Sequence, residues 1–260
     1  MLVAERRKRI KALLMQDGSV KVADLVTMFE VSEETVRRDL HELERAGIAL
    51  KNYGGAILAD EVDVAPTPAP SVQQRKVHLA VEKDAIGRCA AAMVGTEQVV
   101  MLDAGSTTSC VARYLADSEQ VTVVTNSITV ADSLSQNQHA SVFVLGGKLH
   151  PNFMSLIAPY PEEEIRKFSA DIVFLGASGI TLDKGFTSVD VYEAQVKRAM
   201  IEVARKVVVV ADHSKFEKRG LVSFSDFANV DVLITSKMAD SEIVKQIEAM
   251  GVEVLLCELS

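Results

Sequence analysis

The chain has 260 residues, 48% of them hydrophobic and 25% charged, a balance that supports a buried core and excludes wholesale disorder. No run approaches the roughly 18 consecutive apolar residues needed to span a bilayer, and the opening Met1-Leu2-Val3-Ala4-Glu5-Arg6-Arg7 lacks the apolar core of a signal peptide, so a cytoplasmic protein without membrane attachment is expected. The formal net charge of −8 is unevenly spread: through residue 60 there are 10 Lys and Arg against 10 Asp and Glu, leaving 18 against 26 downstream, so contact with a polyanion would fall to the amino-terminal segment.

Helix one is expected from about Ala4 to Gln16, with Ile10, Leu13 and Leu14 inward and Arg6, Arg7, Lys8, Arg9 and Lys11 outward. Asp17-Gly18 ends it, and Ser19 to Val22 is short extended chain. Val22 to Phe29 carries apolar positions at helical spacing. Only Glu30 and Val31 separate it from Ser32, a natural N-cap for a helix that Gly47 would stop. On that helix Val36, Leu40 and Leu43 share one stripe, while Arg38, His41 and Arg45 point away. Two helices joined so tightly form a helix-turn-helix, whose second helix can present Ser32, Glu34, Thr35, Arg37 and Arg38 to a DNA major groove. A helical hairpin with a solvated charged face fits the same residues. Ile48 to Leu58 then reads as two short strands about a glycine turn, a wing that places Lys51, Tyr53, Gly54 and Gly55 where they can meet a phosphate or minor groove.

These residues resemble the amino-terminal domain of the DeoR family of bacterial transcriptional regulators. The resemblance rests on Thr35-Val36-Arg37-Arg38-Asp39-Leu40 in the second helix and Lys51-Asn52-Tyr53-Gly54-Gly55-Ala56 in the wing. A winged helix-turn-helix DNA-binding domain over residues 1–59 is therefore expected, with a double-stranded operator as partner.

Asp60 to Pro70 includes Pro66, Pro68 and Pro70 at alternate positions, which disfavour helix and mark a stiff linker, drawn over residues 60–75. Residues 76–260 form a second domain. Val72 to Val94 reads as one helix. Thereafter Gln98–Leu102, Val121–Val124, Ser141–Leu145, Ile172–Leu175, Val207–Val210, Val232–Ile234 and Val252–Leu256 read as buried strands. Thr107–Leu115, Ile128–Ser135, Asp190–Ala204 and Asp240–Met250 read as helices between them. Such alternation predicts a mostly parallel sheet with helices on both faces, hence an α/β fold.

Ligands of such sheets lie beyond the carboxyl ends of the strands. There the chain offers Asp103, Gly105, Ser106, Thr107 and Thr108; Thr125 and Asn126; Gly146, Gly147 and Lys148; Gly176 and Ser178; and Asp212, His213, Ser214 and Lys215. Free amides and hydroxyls at Gly105-Ser106-Thr107-Thr108 suit a phosphate, Asp103 suits sugar hydroxyls, and Lys148 or Lys215 can neutralise an anion. An ordinary helix cap is the plain alternative for that one turn. No Gly-x-Gly-x-x-Gly or Gly-Lys-Thr/Ser fingerprint is present, so neither a dinucleotide nor any other cofactor is expected.

The same family resemblance continues through Leu102 to Thr108, Val124 to Ser127, Leu145 to Gly147, Gly176 to Ile180, Glu193 to Met200 and Ala211 to Phe216. It implies a fold related to ribose-phosphate isomerase and a phosphorylated sugar as effector, with Glu193 joining the rim residues. One position departs from the family pattern, Ala158 where a glycine is usual in Ser155-Leu156-Ile157-Ala158-Pro159. The main alternative is an isomerase-like enzyme using Asp103, Glu193 or Asp212 as acid or base; a module binding only protein is a third. The regulator reading expects no catalysis, and a homo-oligomer, because symmetric operators require paired heads. The five histidines and three cysteines have no metal-ligand spacing, and no disulfide framework is expected.

Overall fold

The structure, a computed structural model, describes residues 3–17, 19–45, 49–52, 54–58, 70–118, 120–157 and 161–259. The chain divides between Pro68 and Ala69 into two compact units.

The first unit runs α1 (Val3–Asp17), β1 (Ser19–Lys21), α2 (Val22–Phe29), α3 (Glu33–Arg45), β2 (Ala49–Asn52) and β3 (Gly55–Leu58). A 13-residue helix such as α3 is marginal alone in water, so packing must hold it. Val36, Leu40 and Leu43 do so, buried with Ile10, Leu14, Val22 and Leu25. The turn between α2 and α3 is made by Glu30 in the left-handed region, at φ 51°. β3 pairs antiparallel with both β2 and β1, so the extended chain at Ser19–Lys21 becomes the third strand of the wing sheet. Gly55 is required there: a Cβ would sit 1.8 Å from the Val20 carbonyl oxygen. Arg6, expected on the outward basic face, is instead buried. Its Nε donates to Asp39 Oδ2 at 2.5 Å, and Arg7 Nε donates to Asp39 Oδ1 at 2.8 Å. Asp39 lies on the inner side of α3 beside Leu40, and a carboxylate so placed needs cations, which α1 supplies.

The second unit opens with α4 (Val72–Val77) and α5 (Ala80–Ala91). One continuous helix was expected over Val72 to Val94. The break comes at His78, which is extended, and Leu79, at φ 52° in the left-handed region. The Lys83 ammonium compensates by donating to the carbonyls of Arg75 and His78, at 2.7 and 2.5 Å, which capture the open end of α4.

Then come β4 (Val99–Leu102), α6 (Ser106–Leu115), β5 (Thr122–Thr125), α7 (Ile128–Leu134), β6 (Ser141–Val144), β7 (Lys148–His150), β8 (Ser155–Ile157), α8 (Pro161–Ile165) and β9 (Ile172–Gly176). They are followed by β10 (Gly179–Thr181), β11 (Gly185–Ser188), α9 (Val191–Val203), β12 (Val207–Val210), β13 (Val222–Ser225), β14 (Val232–Ser236), α10 (Ser241–Ala249) and β15 (Glu253–Cys257). Among the described residues, seven strands form one sheet in the order β15-β14-β12-β9-β4-β5-β6, and every pairing is parallel.

Alternate side chains serve opposite faces. Met101, Val124, Val173, Val207, Val209 and Leu233 pack with α8, α9 and α10, while Val100, Leu102, Val123, Phe174, Val208 and Val210 pack with α5, α6 and α7. This is a doubly wound α/β body whose strand order reverses between β4 and β9, the place where such sheets open a crevice. Two smaller elements were not anticipated: the antiparallel sheet β10-β11-β13 and the hairpin β7-β8. Their strands have only three or four residues; β10, β11 and β13 mix Gly, Ser and Thr with their apolar residues and β7 is Lys-Leu-His, so they carry little hydrophobic signal.

Candidate functional site

Two surfaces matter, one in each unit. On α3, Ser32 Oγ accepts from the Thr35 amide at 3.3 Å and lies 2.8 Å from Thr35 Oγ1, the capping expected from the sequence. Ser32, Glu34, Arg37 and Arg38 are exposed and Thr35 is half-buried. The Arg37 and Arg38 side chains are 55% and 77% exposed, and each bridges to a carboxylate one turn back, Arg37 to Glu33 at 2.6 Å and Arg38 to Glu34 at 2.7 Å. Such exposed pairs contribute only about 0.3–0.5 kcal/mol, so a phosphate or base edge can take either guanidinium at little cost. In the wing, Gly54 is exposed with open space around it, whereas Gly55 is buried and serves strand pairing. Lys51 lies in β2, its side chain outside the described part; Tyr53 lies outside the described residues, as does Ala158 in the second unit.

The site in the second unit is assembled from the residues that the strand ends deliver. Asp103, at the end of β4, accepts from the Gly176 amide at the end of β9, at 3.1 Å, which joins the two strands that flank the reversal of order. Lys197 on α9 is ion-paired with the same Asp103 oxygen, and both side chains are almost fully buried. Glu193 lies one turn earlier on α9. Asp190 caps that helix by accepting from the Glu193 amide at 2.9 Å, and Ser188 Oγ donates to Glu193 Oε2 at 3.4 Å. Burial raises the Glu193 carboxyl to about 7; Lys197 opposes this, and Asp103 and Asp190 add to it.

Asp212, at the end of β12, accepts from Ser214 Oγ at 2.5 Å and sits 3.6 Å from the Lys83 ammonium. Burial pushes Asp212 up, but the Ser214 hydroxyl, Lys215 and Lys83 outweigh it and hold the carboxyl below its ordinary value. Lys83 and Lys215 are both lowered by burial, with Asp212 opposing. Beside them Glu82, buried on α5, accepts from Ser236 Oγ, from the His213 backbone amide and from the His213 ring Nδ1 side, each at 2.7 Å.

Asp103, Gly176, Glu193, Asp212 and Lys215 thus belong to one charged cluster, joined through Lys197, Lys83 and the field of Arg75. At its edge Gly105, Ser106, Thr107 and Thr108 are buried at the start of α6, which no side chain caps. Asn126 is buried, its amide donating to the Leu156 carbonyl and its Oδ1 without a partner. Thr125 is committed to the backbone, donating to the Leu102 carbonyl at 2.6 Å and accepting from the Ser127 amide. Ser178 is half-buried just past β9. Gly146, Gly147 and Lys148 are exposed at the start of the β7-β8 hairpin, and Gly147 takes φ 149°, where a Cβ would sit 2.8 Å from the Ile157 carbonyl oxygen, a backbone requirement.

Sequence reasoning missed Arg75, Glu82, Lys83 and Lys197. Lys197 had a signal, its i, i+4 spacing from Glu193 on one helix face. Glu82 and Lys83 are expected only as part of a helix over Val72 to Val94, and Arg75 falls within the linker drawn over residues 60–75. Among the described residues no cluster of three or more His, Cys, Asp or Glu can hold a metal ion, and no helix is long and apolar enough to cross a membrane.

A winged helix-turn-helix joined to a doubly wound body with a charged crevice defines a two-domain DNA-binding transcriptional regulator. A model of the DeoR C-terminal sensor domain matches residues 79–237, and one of the DeoR-like helix-turn-helix domain matches residues 6–62. The chain is 32% identical to the putative aga operon transcriptional repressor of Escherichia coli O157:H7, over 97% of this chain and 93% of that one. It is 32% identical to the HTH-type transcriptional repressor GlcR of Bacillus subtilis over 99% and 98%, and 31% identical to the glycerol-3-phosphate regulon repressor of Escherichia coli K12 over 99% and 100%. The chain belongs to the DeoR family. Among solved structures it is similar to ribose 5-phosphate isomerase A of Methanocaldococcus jannaschii, 18% identical over 52% of this chain and 53% of that one, with a TM-score of 0.38.

Proposed function

We propose that this protein is a transcriptional repressor of a carbohydrate-metabolism operon, and that a phosphorylated sugar bound in the sensor crevice releases it from its operator. The observation that carries this reading is the pairing, in one chain, of an outward-facing capped α3 with a buried crevice that mixes cations, carboxylates and hydroxyls at the reversal point of the sheet. The names of the relatives, repressors of an aga operon and a glycerol-3-phosphate regulon, support it.

On α3 the arginines and Thr35 meet the operator, with the wing beside them; two such heads on a homo-oligomer read a symmetric site. In the crevice Asp103 and Asn126 orient hydroxyls, and Lys215 with the start of α6 attracts the anion. A ligand moves the balance between DNA-competent and released states only through its preference for one of them.

The test is a gel shift with the DNA upstream of the gene, repeated with sugar phosphates present. The expected result is a saturable shift that one phosphorylated sugar abolishes, and Arg38→Ala should weaken the shift by about 1–3 kcal/mol if it makes a bidentate base contact. No shift at moderate salt at any protein concentration would overturn the proposal.

A second reading, an isomerase-like enzyme, is favoured by one observation: Glu193, held near 7, is suited to proton transfer at neutral pH. Asp103 and Asp212 are committed to Lys197 and Ser214 and are poorly placed to share that work. Turnover of pentose or hexose phosphates by the purified chain, lost in Glu193→Gln, would establish it.

A further inference from the structure

The two edges of the seven-stranded sheet are built differently. β15 begins at the exposed Glu253 and is followed by Glu258, which pairs with Lys237, so that edge carries charge. At the opposite edge β6, Ser141-Val142-Phe143-Val144, has no charge, no proline and no bulge, the devices by which native sheets blunt an open edge. Phe143 and Val144 are 49% and 48% exposed, and Leu149 in the next strand, β7, is 43% exposed.

The main chain of β6 is open as well. Ser141 and Leu145 donate to the Val121 and Thr125 carbonyls on the β5 side, at 3.0 and 2.8 Å. Alternate residues of a parallel ladder turn their polar groups to opposite sides, so the amides and carbonyls of Val142 and Val144 point outward, where no strand lies among the described residues. Such a row accepts an added strand. A two-fold axis normal to the sheet at Phe143 satisfies backbone and side chains together. Val142 of one copy then exchanges both backbone bonds with Val144 of the other, and the two Phe143 side chains meet on one face. The ends match in charge too. Among the described residues neither the exposed Lys148, four residues beyond Val144, nor the exposed Asp117 forms an ion pair, and Asp117 lines a groove with Asn137, Gln138 and His139 just ahead of β6. Antiparallel pairing carries the Lys148 end of each strand toward the Asp117 end of its mate.

We propose that β6 is the surface through which two copies of this chain associate, strand against strand and antiparallel about a two-fold axis at Phe143, so that two sheets become one continuous sheet. The assignment rests on the reading of the protein as a homo-oligomer with paired DNA-binding heads, and adds to it the face that joins the copies. A two-fold contact must present the same patch from both sides, and this strand is complementary to itself in backbone register, in side-chain face and in the charges at its ends. Pairing covers Phe143 and Val144 and leaves no uncharged edge open to other extended chains.

The experiment is sedimentation velocity of the full chain as wild type, Val144→Lys and Val144→Thr, with circular dichroism spectra as a check of fold, and oxidative crosslinking of Phe143→Cys and Leu256→Cys. The expected result is an oligomeric wild type and a Val144→Lys variant of half its mass with an unchanged spectrum. Val144→Thr, which keeps the branched side chain and adds no charge, should retain the wild-type mass. Opposed residues at a pair without hydrogen bonds approach to about 4.5 Å between Cα atoms, within reach of a disulfide. Phe143→Cys should therefore give a dimer band that a reducing agent removes, and Leu256→Cys, on the β15 edge, should give none. Wild-type mass in Val144→Lys, or crosslinking as efficient through Leu256→Cys as through Phe143→Cys, would overturn the assignment and leave the homo-oligomer reading standing, with β6 left to an extended segment of another protein. Should Val144→Lys lose its fold, the absence of the Phe143→Cys dimer would overturn the assignment by itself. A wild type that is monomeric at every concentration would remove the homo-oligomer reading and this assignment with it.

Discussion

Replacing Glu193 by Gln should make the protein more stable at pH 8 and leave it nearly unchanged at pH 4.5. The folded carboxyl titrates near 7 and its ordinary value is 4.5, so between these values the folded chain keeps a proton that the unfolded chain has released. Stability therefore falls as pH rises through that window, is undiminished below it and is lost in full above it. At about 1.4 kcal/mol per pH unit the interval sets a ceiling of about 3 kcal/mol. The side chain is only 5% exposed, so solvent screening removes little of that. For a unit of this size about 3 kcal/mol corresponds to roughly 6–12 °C in melting temperature. Glutamine keeps an oxygen for the Ser188 hydroxyl and removes the charge, which isolates the titration. Melting curves of both proteins at half-unit steps from pH 4.5 to 8 read the difference directly. A difference that stays flat across this range, or a variant less stable than wild type at pH 8, would refute the argument that burial dominates at this carboxyl.

Asp39→Ala leaves Arg6 buried without its partner, which should cost about 3–5 kcal/mol, enough to unfold the small amino-terminal unit and abolish DNA binding; circular dichroism melts and gel shifts check it. Gly55→Ala should destabilise the wing by about 1–3 kcal/mol because the new methyl meets the Val20 carbonyl, while Gly54→Ala, facing open space, should change stability far less in the same melts. Lys83→Met strips two carbonyls and Asp212 of their cation and should lower stability by about 3–5 kcal/mol in urea titrations, with faster amide exchange across residues 72–79.

The architecture of the body was legible because parallel strands buried on both faces are written as Val and Ile runs: Val207–Val210 is a strand in both readings, end for end. The capped α3 was equally plain, since Ser32 and the Val36, Leu40, Leu43 stripe each leave a local mark. What escaped was decided by contacts across the chain. Arg6 looks like its basic neighbours until Asp39, 33 residues away, draws it inward. Leu79 carries no glycine to announce a left-handed residue, and the ammonium that makes the helix break tolerable comes from Lys83. In the crevice the polar residues at strand ends could be named from the sequence, and Lys197 left a mark in its spacing from Glu193, but the cations from α4 and α5 could not, because their burial depends on how those helices pack on the sheet.

The Asp103 carboxylate bridges the tips of β4 and β9, the two strands from which the chain departs in opposite directions. In an open doubly wound sheet that parting is where neighbouring tips are freest to spread, and here it is stapled shut from within and clamped by Lys197. The crevice accordingly has a stiff floor. If a sugar phosphate binds as proposed, any adjustment falls to the segments beside that floor, the short α4 and the turn of the β7-β8 hairpin, which the Val72 amide joins by donating to the Asn152 carbonyl.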